Sequence, residues 1–308
     1  MPSLKEVRIR IESIKSTQQI TSAMKLVAAS KLRRTQTAVQ ALAPYAAKLR
    51  EILGNLSSSL EDTDEAMYSA SRPAEKVLLI CITSNRGLCG PFNGNVIKAV
   101  RQHIDENYAE VNKKGNLDIF AIGKKGSDFF RKNTNYKLVN SNTAIFDALT
   151  FANTTAIAED LMKAFAAKQY DRIEIIYNHF KNAAQQVMQI EQFLPISAVP
   201  ENLAIGRKSA QPAAQTEEKK KQADYIFEPE KNVLVRELIP RILKVQFYKA
   251  VLDSFAAEHG ARMTAMSQAT DNARDLLRQL QLSYNKARQA SITKELLEIV
   301  SGAEALKG

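Results

Sequence analysis

A glycine-rich loop is the part of this sequence that most resembles a ligand-binding motif. It reads Arg86-Gly-Leu-Cys-Gly-Pro-Phe-Asn-Gly94 and lies between a predicted strand and a predicted helix. Glycines at such a junction let the backbone approach a phosphate closely. The spacing is G-x-x-G-x-x-x-G rather than G-x-G-x-x-G, and Ile122-Gly-Lys stands where a dinucleotide site needs an acidic residue. Nucleotide binding is therefore disfavoured, and an enzyme that uses this loop for a nucleotide remains only a third hypothesis. Calorimetry that detects no dinucleotide binding by the isolated chain would exclude it.

Other arrangements that support catalysis or metal binding are weaker still. Gly123-Lys-Lys-Gly-Ser127 lacks the spacing of a Walker loop, so we interpret its lysines as solvated turn residues. Cys81 and Cys89 are the only two cysteines, and the 3 histidines stand singly, with no partner at ligand spacing. The sequence contains no G-x-S-x-G motif. We therefore expect no catalytic residue, no metal and no bound cofactor in this chain.

The elements that frame this central region are two long heptad repeats, one near each end of the chain. In the first, residues 4–56, 12 of 16 seam positions are apolar, and in the second, residues 252–287, 9 of 11 are apolar. A 3.5-residue repeat of this length predicts a helix whose apolar seam faces another helix. Two such helices that enter and leave one central block can pair only as an antiparallel coiled coil.

The ends of the two helices can also be predicted. Ser3 and Glu6 form a capping box, so the first helix should begin near residue 4, and we expect a bend rather than an end at Pro44. The second should resume after Pro229, tolerate Pro240 and end near Gly302. It outruns the first by roughly 15–20 Å. Its last apolar residues would then lack a partner within the chain, and we expect another protein to enclose them.

The centre of the sequence alternates between strand and helix patterns, which predicts a Rossmann-like, mainly parallel sheet with helices on both faces. We expect helices over 95–107, 123–132 and 153–168. The predicted strands cover 77–83, 118–122, 137–140, 172–177 and 186–194. Residues 201–224 are rich in Ala, Gln and charge, and we expect a disordered insertion there. The predicted domains are 1–57 (coiled-coil helix), 76–200 (α/β domain), 201–224 (insertion) and 230–302 (coiled-coil helix).

Charge is concentrated in the first helix. The chain has a net charge of +10, and residues 1–50 contain ten Lys or Arg against two acidic residues. A cationic helix favours an anionic surround such as nucleic acid, lipid headgroups or acidic protein. A basic nucleic-acid-binding coiled coil is therefore the alternative function, and it predicts DNA binding that weakens steeply as salt rises. The sequence has no membrane-span candidate, and its start leaves no room for a signal peptide, so we expect a bacterial cytoplasmic protein.

Three polar residues occupy seam positions of the first helix, namely Gln18, Thr21 and Lys25. Polar residues at a seam weaken helix pairing. Either they fix the register of the two helices, or the helices part there to meet other subunits. The sequence leaves both interpretations open.

Four blocks of sequence resemble the gamma subunit of F-type ATP synthase, and the resemblance spans nearly the whole chain in order. They are Ile20 to Leu32 (ITSAMKLVAASKL), Ser84 to Gly90 (SNRGLCG), Tyr177 to Phe180 (YNHF) and Leu282 to Gly302 (LSYNKARQASITKELLEIVSG). The resemblance implies a central rotor shaft that couples proton translocation to ATP synthesis and catalyses nothing itself. It implies as partners the alpha and beta subunits, the epsilon subunit and the c-ring, at the cytoplasmic face of the bacterial membrane, without nucleic acid or direct lipid insertion.

The same resemblance implies where partners would touch the chain. Met24 and Lys25 would meet an acidic lever of a beta subunit, residues near Arg288 would meet the loops around the upper shaft, and 225–229 would lie near the foot. The full set of expected contact residues is Met24, Lys25, Arg33, Arg34, Tyr225, Glu228, Arg288, Gln289, Thr293 and Leu296.

Overall fold

The structure, a computed structural model, describes residues 4–56, 68, 72–183, 185–196 and 231–305. The predicted insertion 201–224, the capping residue Ser3 and most of the polar segment before the first strand lie outside these residues. The helices are α1 (Leu4–Leu56), α2 (Phe92–Asn107), α3 (Ala109–Lys113), α4 (Lys124–Lys132), α5 (Phe151–Ala166) and α6 (Lys231–Ala305), with a 3-10 turn at Ala144–Phe146. The strands are β1 (Val77–Ile82), β2 (Leu117–Ile122), β3 (Lys137–Asn142), β4 (Arg172–Phe180) and β5 (Gln186–Leu194).

The five strands form one sheet in the order β3-β2-β1-β4-β5. β1 pairs in parallel with both β2 and β4, β2 pairs in parallel with β3, and only β5 runs antiparallel, beside β4. Every side chain of β1 is buried, as its continuous apolar run requires of a strand covered on both faces. The predicted fold class, a mainly parallel α/β sheet together with two long helices, is confirmed.

Helices cover both faces of the sheet and create two apolar cores. On one face, Val96, Val100 and Ile104 of α2 pack against Leu79 and other side chains of the strands. The other face is covered by α5, by the first half of α6 and by part of α1, whose buried side chains include Phe165, Phe247, Ala46 and Leu49. The second core is the larger because it joins the sheet to both long helices.

The chain divides into two compact units. The helical-pair unit consists of Met1–Ala29 with Arg262–Gly308, and the sheet unit consists of Ser30–Ala261. The division groups the second part of α1 and the first part of α6 with the sheet, and the predicted domain boundaries stay a prediction. The burial of Ala46, Leu49 and Phe247 among sheet side chains is the physical reason.

Within the helical-pair unit, α1 and α6 run antiparallel. Arg8 contacts Tyr284, Thr21 contacts Thr270, and Lys25 contacts Ser267, so residue numbers fall on one helix as they rise on the other. On α6 from Met263 to Ala287, the predicted seam residues are buried or half-buried. These contacts confirm the predicted antiparallel pairing.

Several details differ from the expectations. Lys25, assigned to the seam, is exposed at its edge, while Met24 beside it is half-buried. Helix α6 continues through Gly302 to Ala305 rather than ending there, and it is helical through Pro240, as α1 is through Pro44. Strand β4 extends to Phe180, because its last residues pair with the start of β5.

Candidate partner-contact surfaces

A polar layer lies inside the helical-pair unit. The hydroxyls of Thr21 and Thr270 are 2.8 Å apart, and both residues are more than nine-tenths buried. One hydroxyl donates across the interface while the other can donate to its own helix, where Gln18 O and Met266 O lie within reach. Because a slip of one heptad would leave both hydroxyls opposite apolar side chains, this layer supports the register interpretation of the seam.

Two cationic side chains of α1 reach across to α6 at the edges of this seam. The amine of Lys25 donates to the Ser267 hydroxyl at 3.0 Å. The guanidinium of Arg8 donates to the Tyr284 hydroxyl at 3.0 Å and lies 5.9 Å from the centre of the ring. These bonds orient the two cations along the helix pair, and both side chains stay exposed.

The surface of α1 around Lys25 is apolar where a solvated helix would be polar. Ile20, Leu26 and Val27 are each more than half exposed, and Leu26 reaches 69%. Together with Met24 and the Lys25 amine, they form a surface that we call the collar surface. Such a combination of exposed apolar side chains and a cation is typical of a protein contact.

The end of α6 forms a second surface, the tip surface, which begins at Arg288. Its apolar side chains Ile292, Leu296, Leu297, Ile299 and Val300 are all at least half exposed. Three predicted contact residues besides Leu296, namely Arg288, Gln289 and Thr293, are exposed on the same segment. Lys294 and Glu298 pair with each other at 3.7 Å, so local ion pairing sustains the helix while the apolar residues stay uncovered.

The remaining predicted contact residues fall elsewhere. Arg33 and Arg34 are exposed on the part of α1 that belongs to the sheet unit. Arg34 and Lys31 border a cavity of about 260 Å³ whose walls include Phe255 of α6. Tyr225 and Glu228 lie outside the described residues.

Backbone N–H groups at the start of the glycine-rich loop and of the neighbouring helix α4 bond to side chains of the chain itself. Asn93 Oδ1 accepts the backbone N–H of Ser84 at 2.9 Å. At the neighbouring start of α4, Asn85 Oδ1 accepts the N–H of Lys124, and Thr83 Oγ1 accepts the N–H of Gly126. These three N–H groups, which lie where a phosphate could approach, are thus paired within the chain. Lys124 and Lys125 are exposed as expected, but they form the first two residues of helix α4 rather than a turn before it.

A glycine explains how the turn between β2 and α4 fits. Gly123 has a φ of 101°, and a Cβ built on it would lie 2.2 Å from the carbonyl oxygen of Thr83. Only glycine permits this approach. The glycines of the Gly123-Lys-Lys-Gly sequence therefore serve strand–turn packing rather than phosphate binding.

Sequence reasoning missed a polar interface between α6 and the sheet. His179 Nδ1 lies 2.9 Å from Asp253 Oδ2, and the hydroxyl of Tyr177 donates to Glu191 Oε1 at 2.9 Å. Burial raises the pKa of Glu191, while the Lys249 ammonium acts in the opposite direction. A signal was available, since Lys249 and Asp253 interrupt an apolar stretch of α6 on one helical face.

Comparison with known proteins accounts for the whole chain. The family model described as ATP synthase matches residues 3–306. The ATP synthase gamma chain of Flavobacterium psychrophilum is 52% identical over 308 residues, which is 100% of both chains. The chain belongs to the ATP synthase gamma chain family.

Solved structures agree with this membership. The central stalk and c-ring structure of Tetrahymena thermophila mitochondrial ATP synthase contains a chain that matches with 27% identity and a TM-score of 0.55, covering 81% of this chain and 99% of that one. A rotor structure of Euglena gracilis mitochondrial ATP synthase matches with 22% identity and a TM-score of 0.64, covering 94% of this chain and 98% of that one, and shows the same fold.

Membership of the gamma chain family confirms the prediction of a rotor shaft, and the nucleic-acid-binding alternative gains no support. The chain is a component of the membrane-associated ATP synthase. Among the described residues, no helix is both long and apolar enough to cross a membrane. Those residues likewise include no group of three or more His, Cys, Asp or Glu suited to a metal ion.

Proposed function

We propose that this chain turns as the central shaft within a ring of alpha and beta subunits, couples proton translocation to ATP synthesis and catalyses no reaction itself. The observation that supports this most directly is the helical-pair unit, whose register is pinned by a buried polar layer while apolar side chains stay exposed on both helices. A unit built to fold alone would cover those side chains.

The asymmetry of the helix pair supplies a mechanism. A pair of unlike helices has no threefold symmetry, so inside a threefold ring it presents a different surface to each of three identical sites. Those different contacts favour a different conformation at each site. When the helix pair rotates by a third of a turn, each site therefore changes to the next of the three conformations. The chemistry of ATP synthesis would then remain with the ring.

The collar and tip surfaces have different proposed partners. Lys25 and its apolar neighbours Leu26 and Val27 suit an acidic segment of a beta subunit, because a cation flanked by apolar side chains fits a carboxylate beside an apolar residue. The tip surface with Arg288, Gln289, Thr293 and Leu296 suits an apolar sleeve at the upper end of the ring. Such a sleeve would cover the apolar residues yet permit sliding, since apolar contact is not directional.

The other proposed contacts follow from the family. Arg33 and Arg34 would also face the ring, and Tyr225 and Glu228 would lie near the foot, where the epsilon subunit and the c-ring would dock. The complex would place this chain at the cytoplasmic face of the bacterial membrane, held there by the c-ring rather than by lipid.

The test fixes the shaft to its surroundings at two levels in the assembled ATP synthase. Ala290→Cys places a reactive thiol on the exposed tip, and Arg34→Cys places one on the other part of α1. The native thiols do not compete, because Cys81 and Cys89 are buried and burial raises the pKa of Cys81 to about 12. Linking both positions to the ring should abolish coupled ATP turnover, and reducing the links should restore it.

Two points make this experiment decisive. With a single link at Ala290, the rest of the shaft would still rotate if the end of α6 untwisted. The second link, at Arg34, prevents this. A control with Lys113→Cys carries the same reagent at an exposed position on the short helix α3, outside both long helices. If turnover and proton transport both survived complete linkage at the two positions, rotation of this chain would be refuted.

A further inference from the structure

The sheet unit contains a crevice in the place where doubly wound sheets bind their ligands. The strand order reverses between β1 and β4, since β2 and β3 follow β1 on one side while β4 lies on the other. In open α/β sheets, the ligand site lies outside the carboxyl ends of the strands at that reversal. β1 ends at Ile82 and β4 ends at Phe180, so the crevice is bordered by the loop after β1 and by Phe180.

Helix α6 fills this crevice. Cys89 and Phe92, which follow β1, form a buried cluster with Ala257 and Ala261 of α6, and Phe180 packs against it. Ala257 is fully buried and Phe92 is 2% exposed. The chain's own helix therefore stands where a related fold would hold a small molecule.

A close approach between helix and sheet depends on one glycine. A Cβ built on Gly260 would lie 2.9 Å from Cε2 of Phe180 and 3.4 Å from the Cα of Ala183. The first separation is shorter than real Cβ contacts, so the Phe180 ring lies against helix backbone that only a glycine exposes. Ala257 and Ala261 extend this small-residue face by one turn.

Two polar contacts hold the same junction from the sheet side. The side-chain amide of Asn178 donates to the carbonyl oxygen of Phe92 at 3.2 Å and so joins β4 to the start of α2. His179 contacts Asp253 of α6 at 2.9 Å. These contacts lie on consecutive residues of β4 just before Phe180, so the end of β4 engages α2 and α6 together.

We propose that this crevice is a socket that fixes α6 against rotation relative to the sheet, with Gly260 as its positioning residue, so that torque passes between sheet and shaft. The proposal rests on the rotor function proposed above. Around the axis of α6, Ala257 and Ala261 lie about 60° and about 100° to one side of Gly260. Ala256 and His259 lie about 40° and about 100° to the other side, so a ring seated over Gly260 meets a side chain whichever way the helix turns. A smooth apolar seam would resist such turning less, because it offers equivalent positions one ridge apart.

The socket also leaves no room for a small ligand at the point where the strand order reverses. The crevice volume is taken by α6, and the adjacent N–H groups of Lys124 and Gly126 are bonded to Asn85 and Thr83. The position that binds a ligand in related sheets binds a helix of the same chain here. In this protein that position would hold the helix in place rather than bind a small molecule.

The experiment measures torsional stiffness in the complete complex. The ATP synthase ring is fixed to a surface, a bead is attached at Lys113→Cys, and ATP hydrolysis drives rotation. The angular spread of the bead during each pause reports how rigidly the sheet is fixed to the shaft. Gly260→Ala should increase this spread, because its methyl group forces the Phe180 ring out of its place.

Two further variants make the test specific. Gly94→Ala is the matched control, since Gly94 is also helical and in the sheet unit but a Cβ there meets nothing within 4 Å, so its spread should equal that of the parent. Phe180→Leu removes the seated ring while Gly260 stays unchanged, and it should also increase the spread. Loosening from either side of the contact, with the melting temperature of each variant recorded, separates a positional effect from general loss of stability.

The results of this experiment distinguish failure of the socket from failure of the rotor function. A Gly260→Ala complex that rotates with the parent's angular spread overturns the socket, even if its melting temperature falls. The socket is equally overturned if Phe180→Leu leaves the angular spread of the parent unchanged. A parent complex in which the bead never rotates during ATP hydrolysis would instead contradict the rotor function, whatever the variants do.

Discussion

The sheet unit and the helical-pair unit treat large apolar side chains in opposite ways. In the sheet unit, all six residues of β1 are buried, and aromatic residues such as Phe165, Phe193 and Phe247 are inaccessible to solvent. The helical-pair unit is much the shorter, yet it contains most of the exposed large apolar side chains, including Leu26, Leu297 and Ile299. The sheet unit thus resembles a self-sufficient fold, whereas the helical-pair unit resembles one side of an interface.

The difference extends to polar groups. The sheet unit buries ionisable groups that are paired, such as Asp253 with His179 and Glu174 with His103, the latter at 2.6 Å. The helical-pair unit buries the hydroxyls of Thr21 and Thr270 at its centre and Arg262 at the first position of its α6 segment, and it keeps Arg8 and Lys25 at the seam's exposed edges. A thin two-helix interface cannot enclose a charge on all sides, and this limits which polar groups it can use.

The largest expected effect tests whether the sheet unit depends on its own core. Phe247→Ala removes a fully buried ring that contacts Phe193, and it should lower the free energy of unfolding by about 3–5 kcal/mol. Urea denaturation followed by circular dichroism would measure this. Phe247→Leu, which preserves more volume, is the control and should cost clearly less. A loss for Phe247→Ala as small as that of a surface substitution would contradict the comparison.

An intermediate effect tests the polar layer of the helical-pair unit. Thr21→Val alone should lower the free energy of unfolding by about 1 kcal/mol, because the buried Thr270 hydroxyl loses its partner across the interface. The double variant Thr21→Val with Thr270→Val should have a free energy of unfolding equal to or above that of the parent, because two apolar side chains then meet in the interface. A double-mutant cycle on thermal unfolding measures the coupling. Strictly additive losses would show that the two hydroxyls do not interact.

The smallest expected effect on stability concerns the tip surface. Leu296→Ala should change the free energy of unfolding of the isolated chain by less than about 0.5 kcal/mol, because Leu296 is already 57% exposed. The same variant should weaken assembly with the alpha and beta subunits, measured by co-purification under graded salt. Lys286→Ala, an exposed polar position on the same helix, is the control. If Leu296→Ala destabilised the isolated chain as strongly as Phe247→Ala, the tip would not be a free surface.

The sequence predicted the long helices most accurately, and the reason is their periodicity. A pattern that repeats over many turns averages out single exceptions, so α1 was predicted to begin near residue 4 within the segment 1–57 and is observed over Leu4–Leu56. The strand cores of β1 and β2 were also predicted, because continuous buried runs are distinctive. Lys25 was misplaced because a heptad count cannot tell a seam residue from its neighbour Met24 where the seam is polar.

Features that depend on tertiary contacts were missed. The last residues of β4, Asn178 and His179, have low strand preference and become strand because β5, Phe92 and Asp253 satisfy their polar groups. Gly302 was expected to end α6, yet a glycine with no steric demand leaves the helix free to continue to Ala305. The predicted contact residues Met24, Lys25 and Leu296 remain proposals, since only partners can test them.

The hydroxyl pair of Thr21 and Thr270 also constrains how this chain can change length over evolution. Inserting or deleting one residue between Thr21 and the start of α1 would turn that end by about 100° relative to the seam. Only a matching change between Thr270 and the end of the pairing near Tyr284 would realign the two helices. Length changes in the two terminal segments should therefore occur together among relatives, and in whole heptads.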